Sequence, residues 1–363
     1  MRFAFTFILF FSFSNLFGQK FKAFIDSLRK KELNFLPIPS ITVGPEVGVM
    51  YGIFLDYYYN TGGKKDSTTR PSLSFVDFQY STKKQMNFEV FSSVYTKHEK
   101  YYFFIRAGYY DDFEQYWGET SPVLANDEYI RIRYKRYQAF GRLTKNLGNQ
   151  HFLGVIYQYN KYFSFEFEET IYQEFIPQNP ASNVLGTGLV YTIDKRNSQF
   201  SPTTGYYIDI SALKMFDLTR ATQGYYQYNL DIRKYFEHRR HVLANQFMVG
   251  TTSGEVPPFE KLRIGGPTLL RGLFKGQFRD NNLWVFQSEY RYELIPFLKL
   301  AYFASVGNTA PTLNSLFQQK LIFGQGAGLR FRINKSKKIY ARLDYAITNY
   351  NTRGFYIRLG DAF

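Results

Sequence analysis

One arginine in a glycine-rich segment, and a glutamate that follows it, are the residues whose chemistry can be inferred most directly. The segment contains a glycine pair and then a Leu-Arg-Gly triplet: Gly265, Gly266, Leu270, Arg271 and Gly272. Glu289 lies further along, on the polar face of a stretch in which apolar and polar residues alternate. A desolvated guanidinium needs a carboxylate, which its planar fork can engage with two hydrogen bonds. A carboxylate such as Glu289, on the polar face of the strand that follows the loop, could serve as that partner.

Catalytic chemistry finds little support among the other residues. Nucleophilic hydrolysis needs a Ser/His/acid set or clustered carboxylates, and none of the four histidines lies mid-strand beside a serine. His238 and His241 flank a turn where no cysteine or carboxylate completes a metal site. No phosphate-binding glycine loop or nucleotide motif is found either. We expect no enzyme activity, no cofactor, no metal and no nucleic-acid partner.

The elements that must position Arg271 and Glu289 are strands, and composition indicates that they form a membrane barrel. After the first residues, no segment offers about 18 uninterrupted apolar residues, so a spanning helix is not expected. Yet 20% of the residues are aromatic, with 32 Tyr and 39 Phe. Membrane barrels concentrate such rings in girdles at the two interfaces. A secreted soluble β-sandwich or propeller is the alternative.

The strands can be counted from their alternation. Fifteen candidates begin between Gly44 and Thr352, and a single-chain bacterial barrel needs an even number. We place the missing strand around residues 115–119, in the segment 111–127. The prediction is an all-β fold, a 16-stranded antiparallel transmembrane β-barrel. Residues 200–205 are expected to form a periplasmic turn, and residues 60–70 and 254–280 extracellular loops.

The two ends of the chain carry address signals. Residues 1–19 have one positive charge and a short apolar core, which predicts a signal peptide. Residues 20–36 are expected to form a short periplasmic segment, whose apolar residues at helical spacing fit a short amphipathic helix; a disordered tail is the alternative. The barrel is expected over residues 37–363. The final strand places four apolar residues on one face: Phe355, Ile357, Leu359 and Phe363. This ending resembles the signal by which barrel-assembly machinery recognises its clients.

Residues 263–291 resemble the loop-and-strand signature of the BamA-type outer-membrane insertase and translocase superfamily, the bacterial surface antigen barrels. The resemblance implies that an Arg271-Gly272 tip of a long sixth extracellular loop folds into the lumen, with Glu289 as its partner. The superfamily's second acid lies in a Phe-x-Asp-x-Gly segment, where this chain has Ser305. The expected secondary lumen contacts are therefore Glu293, Ser305 and Asp344. Residues 194–197, Asp-Lys-Arg-Asn, resemble a further Asp-Thr-Arg signature.

Other members carry periplasmic repeats called POTRA domains, or a patatin-like lipase, before the barrel. Only about 25 residues separate the predicted signal peptide from the first predicted strand. The chain is therefore expected to be a barrel-only member, lacking POTRA domains.

Two classes of function are considered, of which the resemblance implies only the first. The first is assembly or translocation of outer-membrane proteins, or lipid organisation, through a lateral seam between the first and last strands. The second is a passive pore, or a barrel that scaffolds other outer-membrane proteins. The expected partners are outer-membrane lipids and lipopolysaccharide, the barrel-assembly machinery during biogenesis, and a homo-oligomer or an accessory subunit. Arg271–Glu289 is either a dynamic lock or a static ion pair.

A basic strand bears on the choice between these functions. Arg131, Arg133 and Lys135 share one face, opposite Ile130, Ile132 and Tyr134. We assign the basic face to the lumen, where it would favour anionic solutes. Two alternatives are that these residues pair with lumen carboxylates, or that they lie at the level of lipopolysaccharide and bind its phosphates.

Overall fold

The computed structural model describes residues 35–44, 47–63, 66, 68–118, 128–168, 171–220, 224–334 and 339–363. Sixteen strands form one antiparallel sheet, and two short strands form a separate hairpin. The strands are β1 Phe35–Gly44, β2 Gly48–Tyr59, β3 Ser72–Ser81, β4 Met86–Tyr95, β5 Tyr101–Tyr116, β6 Ile130–Asn146, β7 His151–Phe167, β8 Ser182–Asp194, β9 Gly205–Asp217, β10 Gly224–His238, β11 His241–Gly254, β12 Leu262–Ile264, β13 Phe278–Asp280, β14 Asn282–Ile295, β15 Leu298–Ala310, β16 Ile322–Asn334, β17 Ile339–Thr348 and β18 Arg353–Leu359.

Helical structure within these ranges is limited to three 3-10 turns, at Lys97–Glu99, Gln173–Phe175 and Pro258–Glu260. No helix in the described part of the chain is long and apolar enough to cross a membrane. The predicted signal peptide of residues 1–19, and the segment 20–36 up to residue 34, lie outside the described residues. Strand β1 begins at Phe35, two residues before the predicted start of the barrel.

Each strand of the large sheet joins the next strand of that sheet along the chain, and the sheet curves until β1 and β18 lie beside each other. Apolar side chains such as Leu189 (63% exposed) and Phe355 (46% exposed) point outwards. The alternate positions are buried inside and carry charged, polar and aromatic groups. This period-two pattern is that of a barrel with an apolar outer wall and a polar interior, the lumen.

The barrel has two rims that can be told apart by contacts. Arg291 donates to the carbonyl oxygens of Pro202 (3.4 Å) and Phe363 (3.2 Å), so the β8–β9 turn and the last residues share one rim. We call this the lower rim. The long segment 255–281, between β11 and β14, leaves from the opposite, upper rim. We call this segment loop six.

The predicted strand at residues 115–119 is wrong. Strand β5 runs without a break from Tyr101 to Tyr116, and residues 119–127 lie outside the described part of the chain. The strand missing from the sequence count is β1, which pairs with β2 from Phe35↔Tyr57 to Gly44↔Gly48. Pro37 and Pro39 lie within β1. Proline has no N–H to donate in a strand ladder and is found mainly in edge strands. The two prolines therefore hid this strand from the sequence pattern.

Because β1 precedes the first predicted strand, the loop at residues 60–70 lies on the side of the barrel opposite to the predicted one. Arg70 Nη1 lies 2.7 Å from Asp194 Oδ2, and its Nη2 lies 2.8 Å from Glu99 Oε2. Both carboxylates belong to the lower rim, because Asp194 ends β8 just before the lower-rim turn. The 60–70 loop therefore lies on the lower rim, opposite loop six, and the prediction that both share one side is wrong.

The end of the chain also departs from the predicted pattern. Phe355 is exposed on the outer face, and the side chain of Leu359 lies outside the described set. Strand β18 ends at Leu359, and Gly360 then takes a φ of 78°. Phe363 turns inwards, only 5% exposed, and packs against Tyr235 and Ala244. It therefore does not share the outer face with Phe355 and Ile357.

The predicted basic face of β6 points outwards, so its assignment to the lumen is wrong. Ile130 and Ile132 are fully buried and Tyr134 is 2% exposed, whereas Arg131 is exposed and Arg133 is partly exposed. On the outside, Arg133 pairs with Asp111 at 2.8 Å and Arg131 with Glu168 at 3.1 Å. The apolar face is inside because loop six packs against it.

Candidate functional site

Loop six folds into the lumen as a hairpin with a looped tip. Its stem is the pair β12–β13, in register from Leu262↔Asp280 to Ile264↔Phe278. The tip turns through the left-handed region, where glycine carries no steric cost. The tip residues with positive φ are Gly265 (106°), Gly266 (88°), Leu270 (52°) and Gly272 (107°). A leucine at such a φ is uncommon, and it directs the next residue, Arg271, into the wall.

Arg271 is held by two carboxylates and one ring. Its Nη2 donates to Glu289 Oε2 at 2.7 Å, and its Nη1 donates to Asp344 Oδ2 at 2.7 Å. All three side chains are fully buried. The guanidinium carbon lies 3.4 Å from the centre of the Phe303 ring, a cation–π contact that is strengthened by desolvation. Arg271 thus meets its predicted partner Glu289.

The second acid comes from Asp344 on β17, two strands beyond the position where Ser305 replaces the superfamily's carboxylate. Ser305 instead lies 3.5 Å from Gln287 Oε1, and that oxygen accepts from the Leu270 amide at 3.4 Å. Ser305 therefore supports the tip through Gln287 rather than binding Arg271. Glu293 lies opposite Lys299 near the lower end of β14 and makes no described contact with Arg271.

The Arg271 site is part of a larger buried network. Arg330 joins the same carboxylates, with Nη1 2.5 Å from Asp344 Oδ1 and Nη2 3.1 Å from Glu289 Oε1. Arg291 links Glu289 (2.8 Å) to Asp361 (3.0 Å), just beyond β18. Ion pairs this deeply buried recover their desolvation cost only through good geometry, and removing one partner is strongly destabilising. The network fixes where the tip sits.

Glycines make room for the tip on the inner face of β16. A Cβ on Gly324 would lie 2.8 Å from the Arg271 carbonyl oxygen and 3.3 Å from a Leu270 methyl carbon. A Cβ on Gly326 would meet the ring of Phe303. The bare backbone therefore lets the ring lie flat beneath Arg271 and lets the loop approach the wall.

The tip also contacts the last strand of the sheet. The Gly272 amide donates to the Tyr356 hydroxyl at 3.0 Å, and that hydroxyl donates to the Leu273 carbonyl at 3.4 Å. Tyr356 lies in the middle of β18. Loop six is thus joined to β14 and β17 by ion pairs, and to β18 by neutral hydrogen bonds.

The stem of loop six is anchored on the opposite wall, formed by β5, β6 and β7. Phe259 is 2% exposed and lies among four rings, with centroid distances of 4.9 to 5.9 Å: Phe165, Tyr134, Tyr116 and Tyr162. Phe274 stacks on Trp117 at 5.6 Å. Clustered aromatic rings of this kind contribute beyond their buried area. This cluster is why Ile130, Ile132 and Tyr134 face inwards.

A second ion-pair site, centred on Glu114 of β5, reinforces the stem anchor. Glu114 pairs with Arg279 of β13 and lies 3.3 Å from Arg263 Nη1 of β12. It also accepts a hydrogen bond from the Tyr134 hydroxyl at 2.7 Å. The Arg279 guanidinium lies 4.8 Å from the centre of the Tyr116 ring. Loop six therefore spans the lumen, with one ionic anchor on each wall.

Glu260, beside Phe259, is a buried carboxyl with few partners. Its Oε2 accepts from Asn160 Nδ2 at 2.8 Å and from the Tyr225 hydroxyl at 3.4 Å. Its Oε1 and Asn160 Oδ1 have no hydrogen-bond partner among the described residues. Burial raises the pKa of Glu260 to about 7, although the Asn160 hydrogen bond and the charge of Arg263 act in the opposite direction.

Sequence reasoning did not find Glu114, Phe259, Phe303 or Tyr356. Strand periodicity can give the faces of a strand, but it cannot say which residues meet across a lumen, and Phe259 lies in a segment predicted as a loop. The only signal was indirect, since Phe303 begins the segment in which the resemblance singled out Ser305. The Asp-Lys-Arg-Asn motif forms a separate lower-rim cluster, in which Asp194 accepts from Arg196 at 2.8 Å and from Arg70 at 2.7 Å.

Comparisons with known proteins agree with this arrangement. The family model of the Omp85 superfamily domain matches residues 46–363. No curated protein matches the sequence. Among solved structures, the fold is similar to BamA from Haemophilus ducreyi lacking POTRA domains 1–3, with 15% identity and a TM-score of 0.57 over 90% of this chain and 70% of that one.

The fold is also similar to two CdiB structures. With CdiB from Acinetobacter baumannii the identity is 15% and the TM-score 0.55, over 90% of this chain and 59% of that one. With CdiB from Escherichia coli the identity is 9% and the TM-score 0.56, over 89% and 62%. This chain thus spans about three fifths of the length of either CdiB.

Proposed function

The chain belongs to the Omp85 superfamily and is a bacterial outer-membrane β-barrel protein, and on this premise we propose that it inserts or translocates polypeptides through a lateral seam between β1 and β18. The barrel has sixteen strands, its lumen is occupied by loop six, and its seam gives access to the surrounding lipid. The same opening can reorganise lipid beside it.

The observation that carries the proposal is the pairing of the two end strands. In the described part of the sheet, β1 pairs with β2 and β18 with β17, and no ladder joins β1 to β18 although they lie side by side. Unpaired strand edges are templates for strand addition. Pro37 and Pro39 remove two ladder donors from β1, which supports a weak seam.

Loop six supports the seam as the route, rather than the lumen. A loop tied to both walls by buried ion pairs obstructs a diffusion path, and a passive pore has no need of one. The cargo would therefore enter the membrane sideways. We expect an accessory subunit or a second copy to take part in collecting clients in the periplasm. The positive net charge of +15 suits contact with the phosphates of lipopolysaccharide. The barrel-assembly machinery would insert this chain itself.

The test is a reversible seam lock in liposomes. The chain has no cysteine, so cysteines at Ser40 in β1 and Phe355 in β18 can be bridged by a cleavable thiol reagent. We expect the barrel to accelerate folding of an unfolded outer-membrane protein, the bridge to abolish this effect, and cleavage to restore it. The matched control is the same bridge between Leu189 and Ala212, which already face each other in a wall ladder.

Two results would contradict the proposal. One is acceleration that persists with the seam bridged. The other is no acceleration together with a large, steady ion conductance, which is the behaviour of a passive pore.

A further inference from the structure

The side chain of Tyr356, on β18, hydrogen-bonds to the backbone of loop six. Its hydroxyl accepts from the Gly272 amide (3.0 Å) and donates to the Leu273 carbonyl (3.4 Å). These are the two residues that follow Arg271. The strand at the seam is thus bonded to the backbone of the loop tip, directly beside the buried arginine.

We propose that the Tyr356 hydroxyl is a latch that couples loop six to the seam. This inference rests on the proposed function and deepens it by naming a positioning residue. When the hydroxyl is bonded to the tip, β18 is held in place beside loop six and the seam between β1 and β18 stays closed. When it is released, the middle of β18 loses its hydrogen bonds to the tip, and a client strand can pair with the edge of β18 that faces β1.

The hydrogen bonds of Tyr356 to the tip are weaker than those of Arg271, so we expect β18 to separate from the tip at Tyr356. Arg271 is held by two charge-assisted hydrogen bonds of 2.7 Å, which are stronger than hydrogen bonds between neutral groups. The two bonds of Tyr356 are neutral and longer. The tip can therefore stay clamped to Glu289 and Asp344 while β18 leaves it.

Gly354 supports the latch from the same strand. A Cβ on Gly354 would collide with the outer half of the Tyr356 ring, so that ring lies along the strand over a glycine. The absence of a side chain at position 354 allows the hydroxyl to reach the tip. Gly354→Ala should displace the ring and weaken the latch without changing any polar group.

Contacts with β5, β6 and β7, on the wall opposite β18, hold loop six in place. Phe259 and Glu114 hold the stem of loop six on β5, β6 and β7. The tip is therefore braced across the lumen rather than carried along by β18. Movement of β18 relative to the tip then has to break the Tyr356 bonds, which makes them a determinant of seam opening.

The experiment measures the distance between spin labels on cysteines at Ser40 in β1 and Phe355 in β18, in liposomes. We expect Tyr356→Phe, which removes both hydrogen bonds of the hydroxyl, to raise the ratio of open to closed seams at least about fivefold, the factor that the loss of one neutral hydrogen bond produces. Gly354→Ala should act in the same direction. The control is Tyr345→Phe, which removes the hydroxyl of an exposed tyrosine on β17.

Melting temperatures of the Tyr356→Phe and Tyr345→Phe variants should agree, so a general loss of stability is separated from a change at the seam. Unchanged label distances in both Tyr356→Phe and Gly354→Ala would overturn the latch. An equal shift in the Tyr345→Phe control would also overturn it. A wider seam without any change in client folding would uphold the latch and contradict the proposed function instead.

Discussion

At the scale of residues, the buried charges around Arg271 act as a positioning device. Two carboxylates and the face of Phe303 surround one guanidinium, and Arg291 and Arg330 extend the network towards the lower rim. Apolar residues of similar volume often stabilise a fold as well as a buried ion pair does. The value of this network lies in its geometry, because the observed placement of the tip brings Arg271 to both carboxylates and to the Phe303 ring at once.

Asp344→Asn should lower the free energy of unfolding by about 3–5 kcal/mol, because it leaves Arg271 and Arg330 short of a buried counter-charge. Glu293→Gln should change it by less than about 0.5 kcal/mol, since Glu293 lies outside the network. Urea titration of the barrel in lipid vesicles measures both. Equal effects would show that Asp344 does not serve as the second acid.

Glu260 should make the stability of loop six depend on pH. Its pKa is about 7 in the folded chain against an ordinary value of 4.5, so folding favours the protonated form. The contribution is complete below about pH 4.5 and is lost as the pH rises through about 7, to a total of roughly 3 kcal/mol. The protonated carboxyl supplies a donor beside Asn160, whose Oδ1 has no hydrogen-bond partner among the described residues.

Comparison of wild type with Glu260→Gln isolates this contribution from other titrating groups. The unfolding free energy of wild type should fall relative to that of the variant between pH 5 and pH 8. The slopes of the two proteins would be identical if Glu260 were already ionised in the folded state at pH 5.

At the scale of elements, loop six is a strut between two walls. Its tip is bound to β14, β17 and β18, and its stem to β5, β6 and β7. The glycines of β16 and the inward Ile130 and Ile132 of β6 are the surfaces on which it lies. The strands therefore provide a preformed seat, and the loop adds the contacts that cross the lumen.

Glu114→Gln should loosen the stem while leaving the tip in place. It removes the counter-charge of Arg279 and Arg263, and breaking a buried pair costs about 3–5 kcal/mol. We expect faster protease cleavage within residues 255–281. Glu166→Gln, on the outer face of β7, is the control and should cleave like wild type. Cleavage at the wild-type rate in Glu114→Gln would show that the aromatic cluster alone holds the stem.

At the scale of the whole molecule, the structure is an apolar wall around a lumen that its own loop crosses. Arg131 and Arg133 point outwards, where they pair with Glu168 and Asp111, and therefore do not line the lumen. Solute selection by that face is therefore not expected. The features that distinguish this barrel are the loop and the seam.

Deletion of residues 262–280 should raise the single-channel conductance in planar bilayers by at least about tenfold, because the deletion removes the stem and tip that obstruct the lumen. Arg131→Ala with Arg133→Ala, in the deletion background, should leave the reversal potential unchanged, since both residues face outwards. Low conductance of the deletion variant would mean that other elements obstruct the lumen. A shifted reversal potential would show that these arginines influence ions in the lumen, and would contradict their outward placement.

The sequence by itself determined the features that local rules control. Alternation with a period of two placed Glu289 on the polar face of its strand, and this is the inner face of β14. The glycine-rich segment identified the loop that carries Arg271. The same rules passed over β1, because Pro37 and Pro39 weaken a strand signal that an edge position tolerates.

Only the tertiary structure decided which inner residues meet. Asp344 replaces the acid absent at Ser305 because β16, thinned by glycine, lets a β17 carboxylate reach Arg271. The apolar face of β6 lies inside because Phe259 packs against it. Alternation alone does not decide which face of a strand points inwards, because both faces have the same period. Contacts across a lumen join residues far apart in sequence, and no local pattern encodes such a distance. That is the physical reason why Arg271 could be identified from the sequence, whereas the stem anchor and the contact with Tyr356 could not.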